Sequence, residues 1–214
     1  MKDFAFFVRN FQNLVCFFLP LLEKIPAKLL PSHIQNMVSL ISRTGRHLQR
    51  YDGACRLVVG CIPYRFKKSN KLSSMDETNC EDIEVLVISS QKGQAMMFPK
   101  GGWEMDESMK DAAQRETLEE AGVIGRVECE LGKWQYMSKR GSILHEGYMF
   151  PLLVQKQLEY WPEKNIRKRK WVSVKEAREV CPQLWMIEAL DELVMRQTHS
   201  PRQQKEELNG QSNM

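Results

Sequence analysis

The amino-acid sequence predicts an α/β fold in which helices pack on a mixed β-sheet. Two runs rich in β-branched residues, Arg56–Arg65 and Glu84–Ser89, have the composition of strands. Helix-length amphipathic segments alternate with such runs, and Met109–Ala121 is the clearest of them. Several connections have the length of hairpin loops. Helices and strands that alternate along one chain are typical of layered α/β domains.

The composition is that of an ordinary globular protein. The chain has 214 residues, 43% hydrophobic and 27% charged, which is enough for one domain with extensions. A net charge of +4 suits an anionic small-molecule partner and does not require nucleic acid. The six cysteines form no CxxC pair, which indicates free thiols in a reducing compartment rather than a disulfide framework. Nothing in the composition indicates an oligomeric state.

Residues 1–36 are predicted to form an N-terminal extension. Its most apolar run, Leu14–Leu22, is too short to cross a bilayer as a helix, so no stable membrane insertion is expected. Four hypotheses stay open: a secretory signal without an A-x-A-like cleavage site, a mitochondrial transit peptide that is poor in serine, an amphipathic surface extension, or an upstream start with Met37 as the start of a shorter form. The predicted location is mitochondrial or, alternatively, cytoplasmic or nuclear.

The main domain is predicted to span residues 37–197, and its first half contains three strands and a polar loop. In order, they are strand Arg56–Arg65, loop Lys67–Asp82, strand Glu84–Ser89 and short strand Gln94–Phe98. The last strand leads directly into Pro99-Lys100-Gly101.

The second half of the domain is predicted to contain the helices and the remaining strands. In order, they are helix Met109–Ala121, strands Gly125–Met137, Glu146–Val154 and Lys170–Val174, and helix Gln183–Arg196. Ser173 followed by Glu176 is a capping box that opens a short helix before Cys181-Pro182. Gly122 is a natural end for the first helix. Residues 198–214 are polar and predicted to be a disordered tail.

Three glutamates lie close together on the helix Met109–Ala121. At about 100° per residue, Glu116, Glu119 and Glu120 fall within an arc of roughly 100°. Carboxylates this crowded repel one another unless a cation joins them. Hard oxygen ligands in a cluster suit Mg²⁺, for which Mn²⁺ can substitute.

The glutamates belong to a longer pattern, G-x5-E-x7-R-E-T-x-E-E-x-G-V, which begins at Gly101 and ends at Val123. This pattern resembles the complete signature of the Nudix hydrolases. The resemblance implies an α/β/α sandwich with a mixed β-sheet. It also implies a loop–helix–loop that binds a divalent metal and hydrolyses a nucleoside diphosphate linked to another group, or a related pyrophosphate.

The resemblance assigns roles to the residues of the pattern. Glu116 and Glu120 would bind the metal, and Glu119 would be a third ligand or the base that activates water. Glu107 would pair with Arg115 and hold the loop against the helix. The predicted catalytic residues are therefore Glu119, Glu107 and Arg115, with Glu116, Glu120 and Glu119 as metal ligands. The Lys100 carbonyl and Glu146 are further candidate ligands.

Motifs outside this pattern narrow the resemblance. The runs QRYD, RLVVGCIPYR, FPKGGWE and RKRKW resemble the diphosphoinositol polyphosphate phosphohydrolase branch, most closely its plant members. The branch implies hydrolysis of inositol pyrophosphates or dinucleoside polyphosphates, with substrate held by Arg50, Arg56, Ser89, Lys92, Lys100, Lys168 and Arg169. Trp103, Trp134 and Tyr136 are candidates for stacking on a base. Two alternatives remain: hydrolysis of NADH or ADP-ribose, and non-catalytic sensing of a phosphorylated metabolite.

Overall fold

The computed structural model describes residues 43, 47–67, 80–91, 93, 95–138, 141 and 143–210, without the side chains of residues 80 and 199–210. All of these lie in the unit that runs from Ser42 to Met214. The predicted extension of residues 1–36, most of the loop Lys67–Asp82 and the side chain of Lys92 lie outside the described residues. In the described part, no helix combines the length and the apolar character needed to cross a membrane.

Strands and helices alternate along the described chain. The strands are β1 Tyr51–Asp52, β2 Cys55–Phe66, β3 Ile83–Ser89, β4 Met96–Met97, β5 Lys100–Gly102, β6 Val123–Val127, β7 Gly132–Met137, β8 Leu144–Gln157 and β9 Arg169–Ser173. The helices are α1 Met109–Ala121, α2 Val174–Val180 and α3 Leu184–Gly210, with a 3₁₀ turn at Cys80–Asp82.

The strands form a mixed sheet with β2 at its centre. The central order is β4-β3-β2-β8-β6, and β9 continues the sheet beyond β3. The long pair β2 and β8 is parallel, with Arg56 opposite His145 and Tyr64 opposite Leu153, whereas the other pairs are antiparallel. The core consists mostly of apolar side chains from β2, β3 and β8 with the inner faces of α1, α2 and α3. The predicted α/β class with a mixed sheet is confirmed.

The strands β2 and β3 diverge, and the chain from Met96 to Gly102 lies between them. The C-terminal end of β2 pairs with β3, whereas its N-terminal half pairs with β5. The far end of β3 pairs with β4 instead of β2. This short segment is therefore fixed by ladder hydrogen bonds on both sides immediately before the glycine-rich turn that leads to α1.

Helix α1 has the bounds that the sequence predicts. The Ser108 hydroxyl accepts a hydrogen bond from the Asp111 N–H at its start, and Gly122 ends it in the left-handed conformation. Thr117 and Ala121 are buried, and Leu118 is half-buried. Glu119 and Glu120 are buried as well. Other parts of the chain therefore cover both faces of this helix.

Three predictions differ from the structure. The segment Gly125–Met137 is two strands, because β6 pairs with the C-terminal end of β8 and β7 with its N-terminal half. Val174 is the first residue of α2 rather than the end of a strand. The backbone from Thr198 is helical to Gly210 and not disordered. The polar side chains of this tail indicated exposure, but glutamine, lysine and glutamate are also good helix formers.

Candidate active site

Arg115 of α1 and Glu107 of the preceding loop form a bidentate ion pair. The Arg115 guanidinium donates to the two Glu107 carboxylate oxygens at 2.6 and 2.9 Å, and to the Gly102 carbonyl at 3.0 Å. The Glu107 carbonyl accepts a hydrogen bond from the Trp103 indole at 3.1 Å. Both charged side chains are largely buried, so the pair is anchored more firmly than a surface salt bridge. It joins the loop to α1, as the sequence predicts.

Glu116 lies directly beneath the glycine turn. Its carboxylate accepts a hydrogen bond from Arg115 at 2.8 Å. A Cβ added to Gly101 would lie 1.9 Å from a Glu116 carboxylate oxygen, which is far inside van der Waals contact. Position 101 therefore requires glycine so that the backbone can approach this carboxylate closely.

Glu120 is held on both carboxylate oxygens. One accepts a hydrogen bond from the Lys100 backbone N–H at 2.8 Å, and the other pairs with the buried guanidinium of Arg167. Arg167 also pairs with Glu163 at 2.6 Å and donates to the Ser89 carbonyl at 3.0 Å. The guanidinium thus connects α1 to the end of β3.

Glu119 is the least constrained of the three carboxylates. Its Oε1 lies 3.4 Å from the Arg43 backbone nitrogen and 3.6 Å from an Arg115 Nη1. These contacts are longer than those of Glu116 and Glu120. The Arg43 guanidinium is engaged elsewhere, with Glu104 at 2.6 Å and Asp106 at 3.1 Å.

Burial and mutual repulsion favour the protonated forms of these carboxylic acids. Burial, reinforced by the charge of Glu116, raises the pKa of Glu119 to about 7. Burial also raises the pKa of Glu120 to about 7, although Arg167 and Lys100 oppose the shift. The pKa of Glu116 is raised by burial too, against the charge of Arg115. An additional cation would stabilise the ionised forms of all three groups.

The three carboxylates together have the chemistry that Mg²⁺ or Mn²⁺ prefers. All three side chains are hard oxygen donors on one helix, and the missing side chain of Gly101 leaves the loop backbone against them. In the described part of the chain, no three acidic, histidine or cysteine side chains converge as a ready-made set of metal ligands. Glu116 and Glu120 are each paired with an arginine through one carboxylate oxygen. A metal would have to replace part of this pairing.

A cavity of about 640 Å³ is lined by Lys100 and Gly101, the two β5 residues that contact Glu120 and Glu116. Arg56 of β2 also lines the cavity and adds a second cation. The remaining wall comes from the β7–β8 hairpin and from the start of α3, including Trp134, Tyr136, His145, Gln183 and Trp185. The volume is in the range of pockets that bind small molecules.

The predicted substrate-binding residues are only partly gathered at this cavity. Arg56 and Lys100 line it. The guanidinium of Arg50 donates to the backbone carbonyls of Glu104 and Met105 and covers the Trp103 ring. That of Arg169 donates to the carbonyls of Ala121, Gly122 and Leu158.

Two of the remaining predicted binding residues, Ser89 and Lys168, lie beside Arg167. The Ser89 hydroxyl accepts a hydrogen bond from the Lys168 backbone N–H at 3.0 Å. Lys168 itself is exposed. Lys92 is not among the described residues. The candidate distal ligand Glu146 accepts hydrogen bonds from Tyr148 and Gln135.

Arg167 is not among the predicted site residues, although the basic run RKRKW in which it lies is one of the motifs. The residue is 93% buried, unlike Lys168, because its partners come from β3 and α1. These partners are 78 and 47 residues away in the chain. Only a charge run beside a predicted strand could have indicated it. Gln183 and Trp185 were missed as well, because nothing local marks them as cavity residues.

Comparison with known proteins agrees with this geometry. The family model described as the NUDIX domain matches residues 76–196. Nudix hydrolase 4 of Arabidopsis thaliana is 55% identical over 192 residues, which cover 89% of this chain and 91% of that protein. The chain belongs to the Nudix hydrolase family. As a Nudix hydrolase, it is a pyrophosphohydrolase that acts on phosphoanhydride bonds.

Other similar proteins include one that is named as mitochondrial, one with lower sequence identity, and one solved structure. Nudix hydrolase 17, mitochondrial, of Arabidopsis thaliana is 58% identical over 174 residues, covering 81% of this chain and 93% of that protein. Diphosphoinositol polyphosphate phosphohydrolase 2 of Mus musculus is 38% identical over 102 residues, covering 47% of this chain and 55% of that protein. A Nudix hydrolase structure from Nitrosomonas europaea superposes with a TM-score of 0.51 at 17% identity over 70% of this chain and 94% of that one, which supports the fold.

Proposed function

We propose that this Nudix hydrolase cleaves a diphosphate bond in a highly phosphorylated small molecule, an inositol pyrophosphate or a dinucleoside polyphosphate. The observation that carries the proposal is the double role of β5. Lys100 donates its backbone N–H to Glu120, Gly101 contacts Glu116, and both residues also line the cavity. A phosphate chain bound in the cavity would therefore lie next to the three carboxylates.

The carboxylates would hold Mg²⁺ or Mn²⁺. Glu116 and Glu120 are the ligands in this proposal. When bound, the metal would neutralise charge on the phosphate oxygens and favour attack by water. Similarity to a diphosphoinositol polyphosphate phosphohydrolase supports the substrate class, as does the arrangement of cations at the cavity.

Glu119 is our candidate for the general base. A carboxylate that accepts a proton from water should be free of strong ion pairs, and Glu119 has the longest contacts of the three. Its pKa of about 7 also makes a proton acceptor available near neutral pH. Arg115 and Glu107 act by positioning, because their ion pair fixes the loop on α1.

Arg56 and Lys100 are the cations best placed to bind phosphate. Both line the cavity, and the Lys100 ammonium has no hydrogen bond or ion pair with any described residue. We retain Ser89, Lys92 and Lys168 as candidate contacts to more distant phosphates. Arg50 and Arg169 would need to leave their backbone partners to bind substrate.

Hydrolysis of NADH or ADP-ribose is a second candidate function. The observation in its favour is the aromatic side of the cavity, which Trp134 and Tyr136 line. These substrates carry one diphosphate between two ribosyl groups, so they need fewer cations than an inositol pyrophosphate.

A substrate panel with analysis of the phosphate products tests the proposal. The full chain with Mg²⁺ would be given an inositol pyrophosphate, a dinucleoside pentaphosphate, ADP-ribose and NADH, and kcat/KM would be compared. We expect one of the first two to have the highest value. A higher kcat/KM for ADP-ribose or NADH would favour the second candidate function, and no turnover of any member would contradict both.

A further inference from the structure

Gln49 is a buried polar residue in the segment that precedes the NUDIX-domain match. The match begins at residue 76, yet Gln49 is only 8% exposed, although glutamine is a residue type that mostly lies on the surface. Its backbone forms an antiparallel bridge with Glu104, and the N–H of the neighbouring Arg50 donates to the Trp103 carbonyl at 2.8 Å. The backbone at Gln49 is therefore fixed to the loop that joins β5 to α1.

The Gln49 side chain contacts Arg56 of β2. Strand β1 pairs with the start of β2, with Tyr51 opposite Arg56, so the chain reverses and returns beside Gln49. The Gln49 Oε1 accepts a hydrogen bond from the Arg56 Nε at 2.9 Å. The orientation of the amide follows from its partner, because a guanidinium can only donate.

A glycine of β5 leaves the space for this amide. A Cβ added to Gly102 would lie 1.7 Å from the Gln49 Oε1 and 2.2 Å from the amide carbon and nitrogen. The Gln49 amide is therefore packed directly against the β5 backbone, which only glycine allows at position 102. Contacts with β5 on one side and with Arg56 on the other hold the amide in one place.

Arg56 keeps its full charge in this arrangement. Within the described residues, its guanidinium has no hydrogen bond or ion pair other than the one with the neutral amide of Gln49. Arg115 and Arg167, by contrast, are each paired with glutamates. The bond to Gln49 uses Nε alone, so the edge formed by the two Nη atoms can still donate to two oxygens of one phosphate group. Arg56 is half-buried and lines the cavity beside β5.

We propose that Gln49 is a positioning residue for Arg56 and thereby sets the affinity for polyphosphate. This inference rests on the proposed function, which places a phosphate chain beside Arg56. An arginine side chain loses rotamer freedom when it binds a ligand, and a guanidinium that is already held in place loses less. A neutral acceptor holds it without reducing its attraction for phosphate. A carboxylate at the same position would hold Arg56 but offset its charge.

Binding of inorganic tripolyphosphate to the full chain tests this role. Isothermal titration without divalent metal leaves the probe unhydrolysed, so only cations of the protein bind it. Gln49→Met removes the acceptor at similar volume and should weaken binding by about threefold to tenfold. Gln49→Glu keeps the acceptor and adds a charge, and it should weaken binding by about tenfold. A purely structural acceptor could be replaced by glutamate without loss of affinity, so this second variant distinguishes the two roles.

A double-mutant cycle shows whether the effect acts through Arg56. Arg56→Ala should weaken tripolyphosphate binding, and adding Gln49→Met to it should cause no further loss. Gln157→Met is the matched control, because Gln157 also accepts a hydrogen bond, from Trp171 at 2.8 Å, but does not line the cavity. This control should bind tripolyphosphate like the wild type. Melting curves would show that each variant is folded, and the cycle decides the question even if Gln49→Glu is not.

The outcomes separate failure of this inference from failure of the proposed function. If Arg56→Ala weakens binding and Gln49→Met does not, the positioning role of Gln49 is wrong and the proposed function stands. An equal loss from Gln49→Met with and without Arg56 would overturn the role as well. Unchanged affinity in Arg56→Ala, or no binding by the wild type, would contradict the proposed phosphate site together with this inference.

Discussion

Glu120 is the carboxylate with the most partners, so its replacement tests the proposed metal site most directly. Glu120→Gln keeps the shape of the side chain and its hydrogen bond to the Lys100 N–H but removes the charge beside Arg167. Loss of metal-ion stabilisation is worth several kcal/mol, so kcat should fall roughly a hundredfold or more.

The control for this variant is Glu179→Gln, which removes an exposed carboxylate from α2. Steady-state kinetics at saturating Mg²⁺ and a melting curve would be recorded for both proteins. Near-normal turnover of folded Glu120→Gln would show that α1 is not the metal site.

The raised pKa values of Glu119 and Glu120 predict that Mg²⁺ binding depends on pH. Because both values are about 7 in the metal-free protein, protons compete with the metal at pH 6 and are mostly absent at pH 8. Affinity should rise by about tenfold from pH 6 to pH 8 for each group that must lose a proton. Titration calorimetry in two buffers of different ionisation enthalpy would count the protons released. Equal affinities at pH 6 and pH 8 would contradict this prediction.

The same shifts predict how the metal-free protein responds to pH. The folded-state pKa of each glutamate lies above its ordinary value, so the folded protein binds more protons than the unfolded chain. Their contribution to the free energy of unfolding is therefore fully present at acid pH and is lost as the pH rises through 7. Bound Mg²⁺ should remove this loss.

At the scale of elements, the end of α1 depends on a single glycine. Gly122 has a φ of 63°, and an added Cβ would lie 2.6 Å from the Trp161 ring and 2.7 Å from the Arg169 guanidinium. Gly122→Ala should therefore combine backbone strain of about 1–2 kcal/mol with a steric overlap. We expect its Tm to fall by at least about 2–8 °C.

Gly53→Ala separates the two causes. Gly53 also has a positive φ, of 57°, but nothing lies within 4 Å of the added Cβ. Calorimetric melting should show a smaller loss for Gly53→Ala than for Gly122→Ala. Equal losses in the two variants would mean that the contacts with Trp161 and Arg169 contribute nothing.

Elements with local signals were predicted well, and those that depend on distant partners were not. The bounds of α1 follow from its amphipathic pattern and from Gly122, which act within a few residues. The division between β6 and β7 arises from pairing with two different parts of β8, so it has no local signal. The same holds for the site. The Glu107–Arg115 pair could be predicted from the family pattern, whereas the contact of Arg167 with Glu120 is created only by folding.

For the whole molecule, we predict that residues 1–36 are dispensable for catalysis. All site residues lie within the NUDIX-domain match or in the segment 43–67 that precedes it. The chain from Met37 should therefore fold and hydrolyse the same substrates as the full chain. Melting temperature and kcat/KM of both proteins check this. A large loss of both quantities would show that the extension packs on the domain.

A reporter fusion tests the role of the same segment in the cell. Several similar proteins are named as mitochondrial and one as chloroplastic. We propose that residues 1–36 direct this protein to mitochondria, where a fluorescent protein fused to them should accumulate. A diffuse signal would contradict the proposal and leave the enzymatic prediction untouched.

The arginines on the carboxylates have a consequence for the life of the enzyme in the cell. Arg115 and Arg167 already pair with Glu116 and Glu120 from within the chain. Folding during synthesis therefore does not require a divalent ion. A small zinc finger, by contrast, folds only when its metal binds. We expect the newly made enzyme to fold without magnesium but to be inactive. It should then gain or lose activity reversibly as the concentration of free magnesium around it changes.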